Sequence, residues 1–172
     1  VSHEANFEET KSRAVYSRST VWCIHGKENV LNKIRDLLSN ARSQVEILAN
    51  DRWSVVLYKE LSPLFDKLNE KKVKVVFFTS FRSFNKHVLK QLQHVLKPVD
   101  ASVTLPVLFV SVDEEYFLIT IAYYNNLSLD AEVKFALFSD NQVLAGLFKS
   151  LILKGKEPYV LPHIERRKGE KQ

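Results

Sequence analysis

The chain has 172 residues, 45% of them hydrophobic and 26% charged, and a formal net charge of +5. These values fit one ordinary globular domain with short appendages and exclude a fibrous or wholly disordered chain. The charge is uneven: residues 1–20 balance three basic against three acidic groups, while 154–172 carry six against three, leaving the body of the chain near +2. No apolar run approaches the roughly 18 residues that would span a bilayer, and the N-terminal VSHEANFEETKSR contains no secretory signal. Cys23 is the single cysteine, which excludes an internal disulfide and points to a reducing, cytoplasmic setting.

The chain begins at Val1 and contains no methionine, so it is expected to be a piece excised from a longer protein. Residues 1–20 read as a leader or linker. Val21–Ile24 is a short β-type run, with Cys23 expected to be a small buried hydrophobe, and His25-Gly26 ends it. The spacing of Val30, Leu31, Ile34, Leu37, Leu38 and Ala41 then follows the helical period. A strand over Val45–Ala49 leads to a second helix with Leu57, Leu61, Leu64, Phe65 and Leu68 inward, in which Pro63 is expected to mark a kink or a first turn. Val73–Phe78 is a strand, and Val88, Leu89, Leu92, Val95 and Leu96 mark a third helix.

After Pro98 the pattern turns to β runs over Val103–Val112, Tyr116–Tyr123 and Val133–Phe138, the first two joined by the acidic tip Asp113-Glu114-Glu115 as a hairpin. A last helix from Asn141 to Leu153, capped by Ser139-Asp140, is expected to turn Val143, Leu144, Leu147, Leu151 and Ile152 inward and to end at Gly155 and Pro158. Strands separated by helices imply crossover units. The expected fold is an α/β sandwich over 21–155, with a mixed, largely parallel sheet and helices on both faces. Residues 156–172 are expected to form a solvated basic tail.

Open sheets of this kind bind ligands beyond the carboxyl ends of parallel strands. Two segments stand there: Asn50-Asp51-Arg52-Trp53, and Thr79-Ser80-Phe81-Arg82-Ser83-Phe84-Asn85. The candidate ligand-binding residues are Asp51, Arg52, Trp53, Ser80, Arg82 and Asn85. Arginine forks onto carboxylate or phosphate, and tryptophan stacks on a sugar or base. The competing reading makes Trp53 and Phe81 lid or dimer contacts and Asp51-Arg52 a solvated loop. No metal site or cofactor is expected: His87 and His94 could share a helix face but have no nearby carboxylate pair, and four glycines supply no phosphate loop.

Taken together, VWCIHGKENVLNKIRDLLSNARSQVEILAND, LYKELSPLFDKLNEKKVKVVFFTS, FVSVDEEYFLITIAYY and KFALFSDNQVLAGLFKSLI resemble the C-terminal effector domain of TrmB-like archaeal transcription regulators, over roughly residues 20–155. The resemblance implies a phospholipase-D-like fold and a catalytically inactive effector-sensing and dimerisation domain. It also implies a homodimer, a sugar or anionic metabolite as effector, and DNA contacted through a winged-helix domain outside this chain. Sugar-binding members carry a further small β domain, where this sequence continues as a basic tail. The alternative is a ligand-free protein- or nucleic-acid-interaction module of the same fold.

A phospholipase-D-like enzyme would carry His-x-Lys-x4-Asp near the hairpin. With Asp113 in the acidic position, Pro106 stands for the histidine and Leu108 for the lysine, and neither can attack phosphorus or neutralise a phosphate. His25-Gly26-Lys27 is a literal His-x-Lys, but Asn32 stands in its acidic position, and Gly26 reads instead as a turn residue. The protein is therefore expected not to be an enzyme.

Overall fold

A computed structural model describes residues 20–103, 106–124 and 131–154; the leader and the basic tail lie outside these, as do Gly155 and Pro158. In chain order the elements are β1 (Val21–His25), α1 (Lys27–Ser39), β2 (Gln44–Ala49), α2 (Asp51–Glu70), β3 (Lys74–Thr79) and α3 (Lys86–Leu92). They continue as β4 (Lys97–Asp100), β5 (Val107–Val112), β6 (Tyr116–Tyr124), β7 (Ala131–Ser139) and α4 (Gln142–Leu153). Among the described residues the strands form one seven-stranded sheet in the order β1-β7-β6-β5-β2-β3-β4.

The sheet is mixed, as expected, but it is not largely parallel. Only β2–β3 and β3–β4 pair in parallel; the other four pairings are antiparallel. The expectation fails because β1 does not lie beside β2. It pairs with β7 at the far edge, and the β5–β6–β7 meander fills the space between. The short strand β4 was not foreseen; Pro98 fits there because β4 is an edge strand.

Helices α1, α2 and α3 cover one face. The expected α1 stripe of Val30, Leu31, Ile34, Leu37 and Leu38 is buried, as are Leu57, Leu61, Phe65 and Leu68 of α2. Gly26 precedes α1 at φ 84°, a left-handed backbone that favours glycine. The α2 helix runs unbroken through Pro63, which sits on its exposed face, where water can satisfy the carbonyl that loses its donor.

On the other face α4 is the one helix among the described residues that packs on Leu48, Phe78, Phe109 and Phe117, with Ala101 and Val103 in the same cluster. Its cap is Asn141 rather than Ser139-Asp140, with Oδ1 accepting from the Val143 and Leu144 N–H groups at 2.8 and 3.0 Å. Its inward face agrees with expectation only in part: Leu144 and Ile152 pack on the core as expected, with Ala145 and Leu153 buried beside them, whereas Val143, Leu147 and Leu151 are 79%, 51% and 67% exposed. The helix is apolar nearly all round, so periodicity alone does not choose a face. Two contacts choose it: Phe148 stacks on Phe117 with ring centroids 4.8 Å apart, and Lys149 pairs with Glu46 and Glu114. Cys23, expected to be buried, is exposed on the edge strand β1.

Candidate functional site

Parallel pairing brings the carboxyl ends of β2 and β3, Ala49 and Thr79, to one rim of the sheet. Strand β5 runs the other way, so Leu108 lies opposite Ala49 and the positions 106–108 belong to the same rim. Leu108 is fully buried, between Ala49 and Thr120. The rim is thus built where sequence places it, but its side chains are arranged differently.

The segment Asn50–Trp53 is not a loop. Asn50 caps α2, its Oδ1 accepting from the Trp53 N–H at 3.0 Å, and Asp51 begins the first helical turn. That geometry turns Trp53 into the core, where it is fully buried and cannot stack on a ligand. The Asp51 carboxylate accepts from the Arg52 N–H at 2.9 Å, and both residues are half-buried.

In the β3–α3 connection, Ser80 is buried and donates to the Val103 carbonyl at 2.9 Å. Asn85 is fully buried; its amide donates to Ser54 Oγ and the Ser80 carbonyl at 3.1 and 3.0 Å, and its Oδ1 accepts from the Arg82 N–H at 2.9 Å. Ser80 and Asn85 therefore hold the connection in shape and offer nothing to solvent. Of the six candidates only Arg52 and Arg82 have cationic heads able to meet a ligand, and Arg82 is exposed. The indole N–H of Trp53 and the hydroxyl of Thr79, both buried, have no hydrogen-bond partner among the described residues.

Next to this network lies a surface that residue-by-residue inspection missed. A groove of about 550 Å³ follows the outer side of α3, with Phe81, Arg82, Ser83, Lys86 and Lys90 in its lining. The signal was present in the sequence: residues 71–99 contain seven Lys or Arg and no Asp or Glu. Summing charge over the whole body of the chain concealed it.

Asp113 stands at the opposite end of the sheet, five strand residues or about 17 Å from Leu108. Its carboxylate accepts from the Arg42, Ser43 and Gln44 N–H groups at 2.8, 2.8 and 3.0 Å and from Ser43 Oγ at 2.8 Å, and Arg42 Nε lies 3.7 Å away. Burial alone would raise its pKa, but the backbone donors of Gln44, Ser43 and Arg42 and the Ser43 hydroxyl outweigh it and lower the value from 3.8 to about 2. Asp113 thus latches the β5–β6 turn to the α1–β2 connection. His25 ends β1, four strand spacings or about 19 Å across the sheet from β2. His94 lies beyond the end of α3 and so does not share a helix with His87. Among the described residues no cluster of three His, Cys, Asp or Glu could hold a metal, and no helix is long and apolar enough to cross a membrane.

No protein-family model matches the sequence, and no curated protein matches it either. Solved structures do resemble it. NucT from Helicobacter pylori superposes with a TM-score of 0.60 at 12% identity, over 79% of this chain and 94% of that one. The phospholipase D family member Nuc from Salmonella typhimurium gives 0.56 at 11% identity, over 77% and 91%. The chain has the phospholipase-D fold. TrmBL2, an archaeal chromatin protein, is also similar, with a TM-score of 0.48 and 16% identity over 78% of this chain; the match spans about half, 51%, of TrmBL2. Within the phospholipase-D fold described here, the rim carries Leu108 from β5 and the two arginines from the β2 and β3 ends.

Proposed function

We propose that this domain is the catalytically inactive, effector-sensing and dimerisation domain of a DNA-binding transcription regulator. The observation that carries the reading is the rim of the sheet. A phosphodiesterase needs a nucleophile and a phosphate-binding cation there; this chain has Pro106 and a fully buried Leu108. Arg52 and Arg82 follow the ends of adjacent parallel strands, where open α/β sheets take their ligands. A sugar or anionic metabolite gripped by these guanidinium groups would act as the effector, with Trp53 supporting the fold beneath. The resemblance to TrmB-like regulators supplies the wider role, with DNA contacted by a domain outside this chain.

Dimerisation has a surface available to it. On the α4 side of the sheet Phe135 and Val21 are half exposed, and α4 adds Val143, Leu147 and Leu151. Apolar area of this extent left in water is the mark of an interaction face.

A thermal-shift screen of sugars, sugar phosphates, nucleotides and carboxylates tests the sensing role. A true effector raises the midpoint, and Arg52→Ala and Arg82→Ala reduce that rise without lowering the ligand-free midpoint. If no compound stabilises the wild type, or if both variants respond as the wild type does, the effector site is wrong.

A further inference from the structure

The described fold is electrically divided. Residues 71–99 carry seven basic groups and no acidic one, whereas the rest of 21–153 carries nine basic against fourteen acidic. All seven cations are exposed, and none is in an ion pair among the described residues. This stretch builds β3, α3 and all of β4 except its last residue, the exposed Asp100, whose carboxylate accepts from the Phe81 N–H at 3.4 Å; together they form one edge of the sheet. A positive edge beside an acidic remainder is a directed field, and such a field draws in polyanions.

The groove along α3 lies within that edge. Lys86 and Lys90 stand one helical turn apart, about 6 Å along the axis, a step of the order of that between successive phosphates of an extended strand. Arg82 continues the cationic line from the preceding connection. Phe81 and Phe84, on either side of Arg82-Ser83, leave 45% and 46% of their surface in water. Cations in a line, aromatic faces beside them and no carboxylate among the described lining residues are what a single strand requires: point charges for its phosphates and rings for its unstacked bases. A duplex could not use the rings, because its bases are already stacked. A small anion is less well served, since the lysines are spread along a surface instead of converging on a buried point.

We propose that the α3 groove binds single-stranded nucleic acid, with Lys86, Lys90 and Arg82 on the phosphates and Phe81 stacked on a base. This surface meets the effector reading at Arg82, so the test leaves Arg52 and Arg82 untouched and changes only residues outside that reading. The full chain is titrated onto a labelled oligothymidine of about 12 nucleotides, followed by anisotropy between about 50 and 200 mM salt. Lys86→Gln/Lys90→Gln should weaken binding and flatten the log–log salt dependence by about 1.4, two phosphates' worth. Phe81→Leu, which keeps apolar bulk but removes the ring, should weaken it by about fivefold or more with the salt slope unchanged. The charge-matched Lys59→Gln/Lys67→Gln pair, exposed on α2, should bind as the wild type does. Every protein retains residues 154–172, so the tail contributes equally throughout. The proposal is overturned if the α2 pair loses as much affinity as the α3 pair, if Phe81→Leu binds like the wild type, if a duplex binds as tightly as the single strand, or if no binding is seen at the lowest salt.

Discussion

Replacing Asp113 with asparagine tests the latch that joins the two ends of the chain's sheet-forming segments. The carboxylate is 6% exposed and takes three backbone N–H groups and one hydroxyl from residues 42–44. Its pKa of about 2, against an ordinary 3.8, is a difference of about 1.8. At about 1.4 kcal/mol per pKa unit this is about 2.4 kcal/mol of stability at neutral pH. The folded-state pKa is the lower one, so the contribution is complete above the unfolded-state value and is lost as pH falls through the folded-state value. About half of it is gone by pH 3. Asparagine keeps one accepting oxygen but sets an N–H group against the Arg42 donor. Asp113→Asn should therefore lose about 2–3 kcal/mol at pH 7, and the gap to wild type should narrow by about 1 kcal/mol at pH 3. Urea unfolding followed by the fluorescence of buried Trp53 measures both. Equal stabilities at pH 7, or a gap unchanged at pH 3, would refute the latch.

Trp53→Ala should lose about 3–5 kcal/mol, because it empties a fully buried site in the core; a stable variant with normal urea midpoint would return Trp53 to a ligand role. Gly26→Ala should lose about 1–2 kcal/mol from backbone strain at φ 84°, since an added Cβ would meet only Asn29 Nδ2, at 3.9 Å. Lys149→Met should lose about 1–2 kcal/mol, chiefly by stranding the 14%-exposed Glu46 3.0 Å from the missing cation, and about 1 M salt should shrink the difference. Burial opposes the charge of Lys149, but its bonds to Glu114 and Glu46 prevail and raise its pKa above 10.5, so its contribution persists at neutral pH and fades only as pH rises through that higher value. A Lys149→Met gap that closes below pH 9 would contradict this.

Much of the fold was legible because its strongest signals are local. The stripes of α1 and α2 and the acidic hairpin tip at Asp113 are one-dimensional patterns, and each element formed where its pattern lies. Strand neighbours are not local: nothing within Val21–His25 says that it pairs with β7 at the far edge. The face of α4 was equally hidden, since Phe148 and Lys149 orient it through partners distant in sequence. In the candidate site, the rim followed from topology, but burial decided the roles. The helix already begins at Asp51 under the Asn50 cap, and that geometry turned Trp53 inward. Ser80 and Asn85, polar and thus suspected of ligand contact, instead bond inward: Ser80 donates to the Val103 carbonyl, and Asn85 donates to the Ser80 carbonyl and to Ser54 Oγ. The basic edge was readable all along, but only as a run without acids.

The measurement that bears most directly on the central claim is turnover. The full chain is incubated at high concentration with bis(p-nitrophenyl) phosphate, single-stranded DNA and phospholipid vesicles, with and without divalent cations. With Pro106 and buried Leu108 in the positions of nucleophile and phosphate-binding cation, release should equal that of a protein-free control. Saturable hydrolysis that tracks protein concentration and disappears in His25→Ala would contradict the account and make the domain an enzyme.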